Sequence, residues 1–189
     1  MGCIRHKAKT RGWHRLLYLA LGMFLLCFLL PLFSYAAIAE DRQYKLEAAF
    51  LYNFFNYIAW PGYHTPEDLK HATICIESND PLQPYLEYIK EKKLGQRTFK
   101  IIPLSADSDI KNCQIFFVRS TSQLTEMHSS ALAKGVLLVS DAPDFVENGG
   151  MIGLSPEGER MAIEINNTGL KQADFNVSSL LLNLARKVE

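Results

Sequence analysis

Few side chains in this sequence have both the type and the spacing to do chemistry. Arg119 is a lone cation closing the apolar run 113–118, and Glu164 with Asn166 closes another. Two residues apart on a strand, a carboxylate and an amide point to one face. At the strand ends of an open α/β sheet, where ligand crevices form, such a pair could grip a small polar molecule. A polar edge that simply meets solvent is the other reading. Glu164 has no second acid or base at a recognisable spacing, so the pattern does not make a hydrolase. His64, His71 and His128 have no partner at the spacing of a helix-borne metal site and read as surface residues. Gly149, Gly150 and Gly153 follow a loop and precede a strand, the reverse of a dinucleotide fingerprint, and read as turn and bulge residues. No Gly-x-Ser-x-Gly elbow occurs. No catalytic residue, metal or cofactor is expected.

The first forty residues decide what the cysteines can do. Arg5, Lys7, Lys9, Arg11 and Arg15 precede an apolar run from Leu16 to Phe33, broken at Pro31 and followed by Ala37-Ile38-Ala39. This is the three-part layout of a secretory signal, with cleavage expected before Glu40. An uncleaved anchor is the alternative, because the run just reaches spanning length. Leu26 before Cys27 does not suit lipidation. Export removes Cys3 and Cys27 and leaves Cys75 and Cys113, an even count in an oxidising compartment, so one disulfide is expected. By the chain-entropy model, closing that loop stabilises the fold by roughly 4 kcal/mol. A metal site on this pair is not indicated, since neither Cys has a second Cys or a His at ligand spacing.

These groups must be positioned by one domain, residues 40–189. Tyr44 to Ile58 reads as a helix on the recurrence of Leu46, Ala49, Phe50, Asn53, Phe54, Tyr57 and Ile58, stopped by Trp60-Pro61. Leu51, Tyr52 and Phe55 lie off that stripe, so the helix is either deeply buried or keeps aromatics for a partner. Strands are expected at 72–76, 99–104, 113–118 and 136–139, with helices at 81–92 and 121–134 between them. Met151 to Leu154 and Met161 to Ile165 make a hairpin around Ser155-Pro156-Glu157-Gly158. A last helix from Ser179 carries Leu181, Leu184, Ala185 and Val188 on one face, with Arg186 and Lys187 at its carbonyl end. The expected fold is a three-layer α/β sandwich with a mixed, largely parallel sheet and a C-terminal hairpin plus helix.

Charge narrows the partners. The 20 Lys and Arg balance the 20 Asp and Glu, but five of the bases lie in the leader, so the body is mildly acidic. It lacks the clustered cations that bind phosphates, and nucleic acid is not an expected partner.

Taken in order, several segments resemble the YfiR family of small periplasmic regulators. They are Lys45-Leu46-Glu47-Ala48-Ala49-Phe50-Leu51-Tyr52-Asn53-Phe54 running to Trp60-Pro61, Ile74-Cys75-Ile76, Asn112-Cys113-Gln114, Val136-Leu137-Leu138-Val139-Ser140-Asp141, Phe145 with Gly149-Gly150-Met151-Ile152, Glu164-Ile165-Asn166, and Ser178-Ser179-Leu180-Leu181 with Leu184-Ala185-Arg186. The resemblance implies a periplasmic protein that binds the periplasmic domain of an inner-membrane diguanylate cyclase and represses it. Cyclic di-GMP, biofilm and exopolysaccharide output would fall. It also implies that Cys75 and Cys113 tie repression to envelope redox state. The second Cys pair that some members carry near the Gly-Gly segment is missing, with Phe145 and Gly153 there instead. Tyr52, Phe55, Arg119, Glu164 and Asn166 are the expected partner or ligand contacts. The alternative is a soluble periplasmic protein that binds a small molecule without a membrane receptor. The state of assembly stays open, a homodimer included.

Overall fold

The computed structural model describes residues 11–63, 71–90, 98–105, 109–119, 130–131 and 134–188. His64, His128 and most of the expected helix 121–134 lie outside them. The chain forms two compact units, Met1–Asp41 and Arg42–Glu189. Helix α1, Arg11–Tyr57, supplies residues to both. Among the described residues, no helix is long and apolar enough to cross a membrane.

The second unit is an α/β sandwich. Its seven-stranded sheet contains β2 (His71–Glu77), β3 (Thr98–Leu104), β4 (Ile115–Val118), β5 (Leu137–Ser140), β6 (Ile152–Glu157), β7 (Arg160–Ile165) and β9 (Lys187–Val188). Their order across the sheet is β3-β2-β4-β5-β6-β7-β9. Strands β3 to β6 run parallel along that order, β7 is antiparallel to β6, and β9 is parallel to β7. Every residue of β4 and β5 is buried, as central parallel strands covered on both faces require. A separate two-stranded pair joins β1 (Ile58–Ala59) to β8 (Asn176–Val177). The remaining described helices are α2 (Gln83–Lys90), α3 (Asn167–Gln172) and α4 (Ser179–Leu184).

Four expectations about local structure need correction. The buried face of α1 is Ala48, Leu51, Phe54, Phe55 and Ile58, while Asn53 is exposed. The stripe is thus turned by about one position from the expected one, because an almost uniformly apolar helix gives periodicity little to fix on. The hairpin turn is Gly158-Glu159, not Ser155-Pro156-Glu157-Gly158, of which only Gly158 belongs to it. Glu157 pairs with Arg160, and Gly158 takes a φ of +61°, a conformation glycine adopts without strain. Cys113 lies before β4, on the cap of a 3₁₀ turn, Ile110–Asn112. The last helix stops at Leu184. Ala185 turns extended, Arg186 donates its backbone N–H to the Ile163 carbonyl, and the chain continues as β9. Leu184 is consequently exposed instead of packed.

Candidate functional site

The parallel strands present two ends, and the chemistry-bearing residues divide between them. At the carboxyl end, Asp80 follows β2, Arg119 follows β4 and Asp141 follows β5, while Glu47 reaches in from α1. The guanidinium grips all three acids. Nε and Nη2 donate to the two Asp80 oxygens at 3.0 and 3.2 Å, Nη2 donates to Glu47 Oε2 at 3.0 Å, and Nη1 donates to Asp141 Oδ2 at 2.5 Å. A planar fork with five donors suits this role in a way a lysine would not. The Tyr44 and Phe117 rings lie 5.2 and 4.9 Å from the guanidinium carbon, so the cation is also held against aromatic faces.

Burial sets the electrostatics of this cluster. The Glu47 side chain is fully buried and only 16% of Asp141's is exposed. Burial pushes both carboxyls above the usual range. For Glu47, the Gln43 amide and Arg119 oppose the shift; for Asp141, Arg119 is the main opposing influence. Burial also works against the Arg119 charge. The hydrogen bonds to Asp80 and the fields of Glu47 and Asp141 outweigh it, and the guanidinium is held more firmly protonated than a free arginine. The strand ends where an open α/β sheet places its ligand crevice here carry the protein's own ion cluster.

The amino end is built differently. Gln114 knits three strands there: its side-chain oxygen accepts from the Thr73 N–H at 2.8 Å, and its carbonyl accepts from the Leu137 N–H at 2.8 Å and the Trp60 indole at 3.0 Å. Beside it, Cys113 is bonded to Cys75 in β2, with Cα atoms 5.7 Å apart. A cleft of about 450 Å³ opens here, lined in part by Trp60, Tyr63, Lys111, Gln114, Lys134 and Asp174. Lys134 and Lys111 flank Asp109, and the Lys134 hydrogen bond, helped by the Lys111 backbone N–H, lowers the Asp109 carboxyl to about 2.

The five residues singled out from sequence fall in different places. Phe55 is fully buried, stacked on Trp60 at 5.0 Å and edge-on to Phe99 at 5.6 Å. It is a core residue and offers no surface to a partner. Tyr52 is half-buried, stacked on Phe99 at 5.0 Å. Arg119 centres the cluster just described. Glu164 sits in the row Val118–Ser140–Gly153–Glu164 across the sheet, where Arg186 donates to it. Asn166 lies beyond β7 and caps α3, its side-chain oxygen accepting from the Gly169 N–H at 2.7 Å. Glu164 and Asn166 thus serve separate local partners. Sequence reading missed Glu47, Asp80, Asp141 and Gln114. The signal for the two aspartates was their position, each just past the end of a buried parallel strand.

Of the glycines, Gly150 has a packing reason, since a Cβ there would fall 2.3 Å from the Phe145 ring. The profile of the YfiR/HmsC-like family matches residues 44–186. The chain belongs to the YfiR/HmsC-like family. The match begins on the Arg42–Glu189 part of α1 and ends at Arg186, so it takes in both ends of the parallel strands. No curated protein matches the sequence. Among solved structures, the chain is similar to an ABC domain in complex with L-Trp from Streptococcus pneumonia, at 11% identity and a TM-score of 0.49, over 74% of this chain and 59% of that one. It is also similar to a conserved domain protein from Vibrio cholerae, at 10% identity and a TM-score of 0.45, over 65% of this chain and 56% of that one. This member of the YfiR/HmsC-like family therefore spans a little over half the length of both structures.

Proposed function

We propose that this protein is a periplasmic regulator, not an enzyme, that binds the periplasmic domain of an inner-membrane diguanylate cyclase and holds it inactive. Cyclic di-GMP, and with it biofilm and exopolysaccharide output, falls while the regulator is bound. The observation that carries this reading is the family match over residues 44–186. Residues 1–39 act as the export signal and are removed before Glu40. The reading is supported by the Cys75–Cys113 bond, which suits an oxidising compartment.

The regulation is linkage. If the oxidised, folded form binds the receptor, any condition that lowers its population frees the cyclase, by mass action and without a second signal site. Receptor contact falls on α1 around the half-buried Tyr52. Deleting the gene and restoring it with and without residues 1–39 tests this. Cyclic di-GMP rises on deletion and returns only with the exported form. Equal restoration by the form without the leader would overturn the reading.

The cleft at the amino ends favours a second reading, in which the protein takes a small molecule and no membrane receptor. Its volume of about 450 Å³ lies in the range of ligand pockets, and its lining mixes aromatic, cationic and amide groups. Under this reading deletion leaves cyclic di-GMP unchanged.

A further inference from the structure

The carboxyl-end cluster holds three carboxylates and one guanidinium, a formal charge of −2, with Glu47 fully buried and the Asp80 side chain 1% exposed. Asp80 is the best matched of the three. It takes two of the Arg119 bonds and accepts the Leu82 backbone N–H at 2.7 Å. Glu47 and Asp141 share what is left. Each has one bond from Arg119, and the Gln43 amide nitrogen lies 2.7 Å from Glu47 Oε1 and 3.4 Å from Asp141 Oδ2. The guanidinium also lies against the rings of Tyr44, on α1, and Phe117, on β4, neither of which adds positive charge. Two desolvated carboxylates joined through one amide and one cation already engaged by Asp80 cannot both keep a full charge cheaply.

We propose that the Glu47–Asp141 pair takes up a proton as the protein folds, so that mild acid tightens the attachment of α1 to the ends of β2, β4 and β5. The sign follows from the pair's preference for the protonated form. A carboxyl whose folded pKa lies above its unfolded value destabilises the fold at pH above the folded value, and that penalty shrinks as pH falls below the folded value and is gone at the unfolded one. This domain therefore gains stability as pH falls from neutrality toward the unperturbed carboxylate range, opposite to the usual effect of acid on paired carboxylates. Since α1 carries both the cluster's Glu47 and the half-exposed Tyr52, a proton here acts on the same helix that presents the outer surface.

Thermal unfolding of the oxidised protein, residues 40–189, across this pH range tests the proposal. Tm is expected to rise as pH falls from 7.5 to 5, by about 3–5 °C for each tenfold gain in folding constant. Glu47→Gln, which mimics the protonated group, should flatten that rise and leave the pH 5 value little changed. General loss of surface repulsion on acidification would move wild type and variant alike, so the difference between them isolates the pair. If Glu47→Gln does not fold, Asp141→Asn provides the same comparison, and carboxyl ¹³C titration of the wild type reads the groups directly. A wild-type Tm that falls steadily from pH 7.5 to 5, or carboxyls at both positions that titrate below about 4, the unperturbed range, overturns it.

Discussion

The two ends of β4 and β5 meet the same demand, holding neighbouring strands and α1 together, with opposite materials. At the carboxyl end, Arg119 draws Glu47, Asp80 and Asp141 into a largely desolvated ion cluster. At the amino end, Gln114 uses backbone and amide bonds, Cys113 is tied covalently to Cys75, and a cleft stays open beside them. The difference teaches that strand-end position alone does not identify a binding site. Buried charges attract only after their desolvation has been met, so an ionic end is sensitive to loss of one partner and to pH. A covalent tie acts mainly by restricting the unfolded chain and is indifferent to pH over this range.

Removing the cation should have the largest effect. Arg119→Met leaves three carboxylates at the carboxyl end without their partner, and a loss of about 3–5 kcal/mol at neutral pH is expected in urea unfolding. That loss should shrink toward pH 5 as the acids protonate. A loss below about 1 kcal/mol, in the range of surface pairs, would break the comparison.

At the other end, Cys113→Ser should cost about 2–5 kcal/mol, through the loop of 38 residues that the bond closes. Here the loss should be the same at pH 7.5 and pH 5, and the contrast in pH dependence sharpens the distinction between the two ends. Reduction of the wild type should reproduce the variant.

Arg186 provides the smallest effect and a control. It bridges Glu157 and Glu164 but is half-exposed, so Arg186→Ala should cost far less than the loss at Arg119, and less still at high salt. A loss as large as that at Arg119 would mean that burial is not what separates the clusters.

How much of this was legible in the sequence follows from the same physics. The buried parallel strands announced themselves as apolar runs, and Cys75 with Cys113 was implied by the expectation that an export signal carries away the other thiols. The ionic end was not legible, because its members come from α1 and from three loops far apart in the chain. Glu47 in particular sits on a helix whose apolar residues surround it, and a one-position error in the stripe turns it from inward to outward. Phe55 was misplaced by the same error. Asn166 looked like one half of a ligand grip because the chain was read as strand to that point, whereas the turn into α3 gives it a capping role. The short edge strand β9 replaced the end of a helix because Ala185 and Arg186 are fixed by a backbone bond to Ile163, which no local propensity encodes.

The central claim concerns a receptor, and a pull-down from solubilised inner membranes with oxidised Glu40–Glu189 as bait tests it most directly. The account predicts recovery of a membrane protein that carries a diguanylate cyclase domain, and a fall in the cyclase activity of the same membranes when the protein is added. Folded bait that recovers no cyclase and leaves cyclic di-GMP synthesis unchanged would contradict it.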